Sequence, residues 1–97
     1  MATYISLVQY TQQGLAAIKE SPKRLDAARK AFEQAGAKIK EFYLVMGKYD
    51  IVIVAEAPND EAITKTSLML GSKGNVRTRT SRAFTESEFR KLIDSLP

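Results

Sequence analysis

The run Ile51-Val52-Ile53-Val54-Ala55 constrains this chain more than any other stretch. Four consecutive β-branched residues suit a pleated strand and crowd a helix. The run does not alternate polar with apolar. One parity holds Ile51, Ile53 and Ala55; the other holds Val52 and Val54, bracketed by Asp50 and Glu56. A strand apolar on both parities needs cover on both faces. A chain of 97 residues has little helix with which to cover two faces of a sheet. A second copy of the chain is the economical cover for the face that helices leave open.

The remaining elements follow in order. Thr3 to Tyr10 reads as a strand, again largely apolar or aromatic on both parities. TQQG is a polar break, and Leu15 to Ile18 suggests one short helical turn. Ser21-Pro22 marks a helix start, with serine as cap and proline in the first turn. Leu25, Ala28, Phe32 and Ala35 then form one stripe at helical spacing, and Gly36 supplies the stop. Lys23 and Arg24, at that helix start, are placed to attract an anion or simply to face solvent. Lys38 to Met46 alternates as a strand, its lysines suiting an edge, and Gly47-Lys48 makes a short hairpin into the central strand. Pro58 ends that strand. Asn59 and Asp60 are caps for a second helix, whose inner stripe is Ala62, Ile63, Thr66, Met69 and Leu70. GSKG lacks the spacing of a phosphate loop and reads as a helix exit. Val76 to Ala83 is a polar fourth strand. Thr85 and Glu88 form a capping box before a last helix with the stripe Phe89, Leu92, Ile93 and Leu96.

Composition removes several chemistries. Cysteine and histidine are both absent. Disulfides, thiolate metal sites and the Ser-His-Asp triad are therefore excluded within the chain. Any acid–base work falls to carboxylates, lysines or tyrosines. No cofactor is expected. The net charge of +4 is mild, and strand alternation sends Arg77 and Arg79 to one face and Arg82 to the other. That split disfavours nucleic acid as a partner. No apolar run approaches the ~20 residues of a membrane span, and the first residues lack the pattern of a secretory signal. A cytoplasmic location is the default expectation.

Length predicts one domain over residues 1–97. The order strand, helix, strand, strand, helix, strand, helix is the ferredoxin-like βαββαβ pattern plus a C-terminal helix, an α+β fold. Right-handed crossovers give an antiparallel sheet of order 4-1-3-2. Strands one and three, the two apolar on both parities, fall in the middle.

Beyond this pattern the residues resemble those of the GYD-domain family. The motif is Gly47-Lys48-Tyr49-Asp50, with a lysine interposed. The likeness runs through YDIVIVAEAPNDEA and GNVRTRTSRAFTE, and through YTQQG, IKESPKR and IKEFY. The resemblance implies a dimeric α/β-barrel, in which two ferredoxin-like units pack through their sheets. Proteins of that fold include cofactor-free monooxygenases, isomerases, haem-degrading enzymes and amino-acid-sensing domains. Fold does not choose among them. The lack of histidine departs from the haem-handling members.

The topology predicts that Tyr10, Tyr49-Asp50 and Val76-Arg77 meet at one end of the sheet, with Gly14, Gly47 and Gly74 nearby. Tyr10, Tyr49, Asp50 and Arg77 are the candidate site, for a small anionic or aromatic ligand. Arg77 would orient a carboxylate or oxyanion. Asp50, with Tyr49 beside it, is the candidate for catalysis as a base. The structural alternative is that Tyr49 packs over the hairpin and Asp50 caps a turn or pairs with Arg77 or Lys48. At the opposite end Glu56 is expected near Tyr4, paired with Arg82. Two functions stand side by side: a homo-oligomeric small-ligand-binding or assembly module, at least a homodimer, and a cofactor-independent monooxygenase or isomerase acting on a small aromatic or anionic metabolite.

Overall fold

Four strands and four helices follow one another in the computed structural model, which describes residues 1–97. They are β1 (Ala2–Tyr10), α1 (Gln12–Ala16), a 3-10 turn (Ile18–Glu20), α2 (Ser21–Gln34), β2 (Lys38–Leu44), β3 (Ile51–Ala57), α3 (Asp60–Ser72), β4 (Val76–Ala83) and α4 (Glu86–Asp94). The sheet order is β2-β3-β1-β4, with every neighbouring pair antiparallel. This is the expected ferredoxin-like order, and β1 and β3 are central.

Strand alternation separates two faces. Tyr4, Val8, Ile51, Ile53, Ala55 and Ala57 point to one side and are buried there with Ile39, Phe32 of α2 and Ile63 of α3. The buried hydroxyls on this side are satisfied. Ser6 Oγ lies 2.9 Å from Thr80 Oγ1, and Thr66 Oγ1 donates to the Ala62 carbonyl at 2.9 Å. The other face carries Ile5 and Leu7 of β1 opposite Val54 and Val52 of β3. None of these four is buried, and Ile5 is 38% exposed. The strand apolar on both parities thus has helices on one side only.

Local chemistry explains where elements stop. Gly36, at φ +75°, ends α2. The Ala37 N–H reaches the Phe32 carbonyl at 2.8 Å and the Gly36 N–H reaches Glu33 at 3.0 Å, the paired bonds of a Schellman motif. Asn59 caps α3 through the Ala62 N–H. Thr85 and Glu88 form the expected capping box, with Glu88 N–H to Thr85 Oγ1 at 3.2 Å and Thr85 N–H to Glu88 Oε1 at 2.9 Å.

Several expectations are corrected. Ser21 does not cap α2. The 3-10 turn runs straight into the helix, so the Ser21 N–H already reaches the Ile18 carbonyl and the cap position falls to Glu20, without a side-chain bond. β2 ends at Leu44 rather than Met46, which is 98% exposed. The hairpin is a longer loop, closed by the Val45 N–H on the Asp50 carbonyl at 2.8 Å. A register shift between Ile39 and Glu41 adds one residue to β2. That bulge breaks the simple alternation and brings Phe42 to the same core as Ile39. In α3 the inner stripe is Ile63, Thr66 and Leu70, whereas Met69 is exposed.

The last helix leaves the body. Phe89, Leu92, Ile93 and Leu96 are all between 47% and 64% exposed. The chain measures 52 × 31 × 18 Å, and its radius of gyration is 14.6 Å, against roughly 12–13 Å for a rounded chain of this length. No helix is long and apolar enough to cross a membrane.

Candidate functional site

The end of the sheet where β1 finishes gathers the expected segments. Tyr10 and Val76 are cross-strand partners, and the Thr11 N–H donates to the Asn75 carbonyl at 3.1 Å. Thr11 Oγ1 donates to the Gly74 carbonyl at 2.6 Å and accepts from the Gly14 N–H at 3.1 Å. Gln13 Nε2 reaches the Lys73 carbonyl and Asn75 Oδ1. At Gly14 a Cβ would sit 2.1 Å from the Asn75 carbonyl oxygen. Only a hydrogen leaves room for that approach, so the glycine fixes how closely the turn before β4 docks on α1.

Asp50 is tied into the same end. Its carboxylate accepts the Tyr10 N–H at 2.9 Å, and its own N–H donates to the Val8 carbonyl at 2.9 Å. The side chain extends the β1–β3 ladder by one rung beyond Ile51, where β3 begins. Asp50 pairs with neither Arg77 nor Lys48. Lys48 sits 5.8 Å from the centre of the Tyr49 ring, and its carbonyl accepts from Gln9 Nε2 at 2.8 Å. Tyr49 is half-buried.

The four candidate residues do not share one cavity. Tyr10 lies on the helix side, its hydroxyl 2.7 Å from Ser21 Oγ. It lines a cavity of about 120 Å³ between α2, α3 and the sheet. Arg77 is opposite Gln9, on the face without helices. It lines a much wider groove of about 1020 Å³ between α3 and β4, with Arg79, Thr64 and Ser67. Tyr49 and Asp50 line neither space. The backbone ends converge as expected, but the side chains diverge because Tyr10 and Arg77 differ by one in cross-strand register.

Ser21, Arg24, Lys73, Asn75 and Thr78 also line the smaller cavity, and none of them is a site candidate by sequence. Ser21 was visible only as a helix cap. Lys73 sits in the GSKG turn, and its ammonium meets no carboxylate. Arg24 carried the signal of a cation near a helix start; its Nη2 donates to the Gly14 carbonyl at 3.1 Å. Its neighbour Lys23 faces solvent and Glu20 instead.

At the opposite end the Tyr4 hydroxyl donates to Asp60 Oδ1. That bond, then burial and the Asp60 charge, raises the Tyr4 phenol above its ordinary range, while the Arg82 charge opposes. Arg82 stacks 4.7 Å from the Phe84 ring centre and 5.7 Å from that of Tyr4, and meets Glu88 at 3.9 Å. Glu56 is not its partner. Glu56 lies opposite Thr3 and Lys38, on the other face, and pairs with Lys40 at 3.8 Å. Nowhere do three acidic side chains converge in a way that would hold a metal ion.

Comparison with known proteins agrees with this architecture. The model of the GYD domain matches residues 4–93. A protein of Thermus thermophilus described as "Glutamine synthetase and cystathionine beta-lyase binding protein" is 32% identical over 84 residues, covering 86% of this chain and 88% of that protein. A crystal structure from Thermus thermophilus superposes with a TM-score of 0.56 at 24% identity, covering 88% of this chain and 95% of that one. The feast or famine regulatory protein of Mycobacterium tuberculosis, solved with L-methionine, superposes with a TM-score of 0.66 at 15% identity. That match covers 88% of this chain but 51% of the regulator, so the chain spans about half its length. These structural likenesses establish the ferredoxin-like fold.

Proposed function

The chain belongs to the GYD-domain family, and on that premise we propose that it is a homo-oligomeric binding module whose copies meet through the open face of the sheet. The observation that carries this reading is the uncovered apolar centre of that face: Ile5 and Leu7 against Val54 and Val52 on the two middle strands. Contiguous apolar surface of this kind marks an interaction site. The occupant we assign is a second copy. A two-fold axis along the strands lays the β2 edge of one copy over the β4 edge of the other. Glu41 and Tyr43, hydrogen-bonded to each other at 2.6 Å, then lie within one row of the partner's β4 ribbon. Arg79, level with Tyr43 in the sheet register and without a carboxylate partner of its own, belongs to that ribbon. An interface of this symmetry is self-complementary. The projecting stripe of α4 gains cover from the same partner.

The Thermus thermophilus relative is described as binding two enzymes. By that likeness the assembled module holds other folded proteins. A small-ligand site belongs to the same reading, on the helix side of each copy. The enzyme alternative has less behind it: Asp50 already accepts the Tyr10 N–H on one carboxylate oxygen and lines neither the cavity nor the groove.

Sedimentation at low micromolar concentration tests the assembly. The expected species is a dimer or larger, and Val54→Glu at the centre of the face is expected to yield folded monomer. A wild-type protein that sediments as a stable monomer overturns the reading.

A further inference from the structure

We infer that the cavity between α2, α3 and the sheet is a binding site for a simple monocarboxylic acid carrying a benzene-sized apolar group. The inference rests on the small-ligand part of the reading above and names the ligand's chemistry. The cavity encloses about 120 Å³. An apolar space of comparable volume, ~150 Å³, stays dry and accepts benzene. Its floor is Val8, Ile51 and Ile53, and its walls are Leu25 and Ala28 of α2 and Leu70 of α3. Those six side chains offer no hydrogen bond, and Thr78, opposite Val8, adds one hydroxyl beside them, so the buried portion of a ligand is mostly hydrocarbon.

The polar lining carries cations, hydroxyls and one amide, those of Asn75 and Thr78 among them, and no acid. It holds the Tyr10–Ser21 hydroxyl pair, Arg24 and Lys73. Arg24 spends one N–H on Gly14 and keeps others free, and Lys73 is unpaired. No carboxylate lines the cavity. Two cations with two hydroxyls receive one carboxylate well. An α-ammonium would find no counter-charge, so a plain acid is favoured over the amino acid of the same side chain.

Phenylacetate is the probe, and methyl NMR of Leu25, Ile51 and Ile53 is the readout. Saturable shifts are expected for phenylacetate, with phenylalanine weaker by about tenfold or more. Lys73→Glu, at an exposed position, is expected to weaken phenylacetate by about tenfold. Ala28→Leu, which fills the space, is expected to abolish the shifts, its fold being checked by its melting curve. Sedimentation of each variant is run alongside. Loss of binding with the oligomer intact counts for the site. The inference is overturned if the methyls do not move up to ~20 mM phenylacetate, if phenylalanine binds as tightly, or if Lys73→Glu binds as the wild type does.

Discussion

Replacing Phe89 by alanine should separate self-association from folding. Phe89 is on the stripe of α4 and is 55% exposed in the single chain. An aromatic side chain carries roughly 200 Å², so about 110 Å² of ring remains for a partner to cover. At ~25 cal/mol per Å², that is about 2.7 kcal/mol per copy and about 5 kcal/mol for the two copies of a symmetric dimer. Measured from an extended reference such figures are upper values. The dimer dissociation constant is therefore expected to rise by up to about 10³-fold. The single chain loses little, because the ring makes few contacts with its own body; the monomer's unfolding free energy is expected to change by less than about 1 kcal/mol. Sedimentation equilibrium across a concentration series gives the first quantity and urea denaturation of the dilute monomer gives the second. If Phe89→Ala dissociates at the wild-type concentration, the stripe has no partner in the oligomer.

Further outcomes follow from the sheet end and the caps. Asp50→Ala strands the Tyr10 N–H and is expected to cost about 1–3 kcal/mol in urea denaturation, while Asp50→Asn, which keeps an acceptor, costs less. Gly14→Ala forces a methyl against the Asn75 carbonyl and is expected to lower stability by about 1–3 kcal/mol. The Glu88 carboxyl is held below its usual range, chiefly by the Thr85 N–H, with the Thr85 hydroxyl and Arg82 assisting against desolvation. Its folded value is depressed, so its contribution is present above the unfolded value of 4.5 and is lost as pH falls through the folded one. Carboxyl NMR titration should show Glu88 protonating below its ordinary value of 4.5, and Glu88→Gln should remove that part of the acid dependence. The Tyr4 phenol is raised from its ordinary value of 10.0, so its contribution is full below that pH and is lost as pH rises through the folded value. Tyr4→Phe should remove the late step from an ultraviolet titration.

Much of the fold was legible because pattern and topology agree at independent points. Ile51 to Ala55 asked for a central strand, and the crossover rule placed it there. Thr85 and Glu88 asked for a cap, and the helix starts on it. What escaped reading was set by neighbours distant in sequence. The bulge in β2 depends on which register best buries both Ile39 and Phe42 against β3. The role of Ser21 depends on a short turn whose carbonyls had already taken its N–H. The candidate site was partly legible: the backbone convergence of Tyr10, Asp50 and Val76 follows from strand order. Whether neighbouring side chains then face the same way is a matter of single-residue register. Tyr10 and Arg77 fall on opposite sides, and Lys73, read as a turn residue, lines the cavity.

The detachment of α4 has a thermodynamic consequence. A helix of nine residues is shorter than the ~12–15 that hold helical structure alone in water. Its capping box and its Glu86–Arg90 pair contribute only modestly against that deficit. If a second copy covers its stripe, the helical order of α4 is coupled to protein concentration. Dilution would then melt the helix while the sheet and the first three helices stay folded. Amide exchange in residues 86–94 would become a meter of association, slow in the assembled protein and fast in the dilute one.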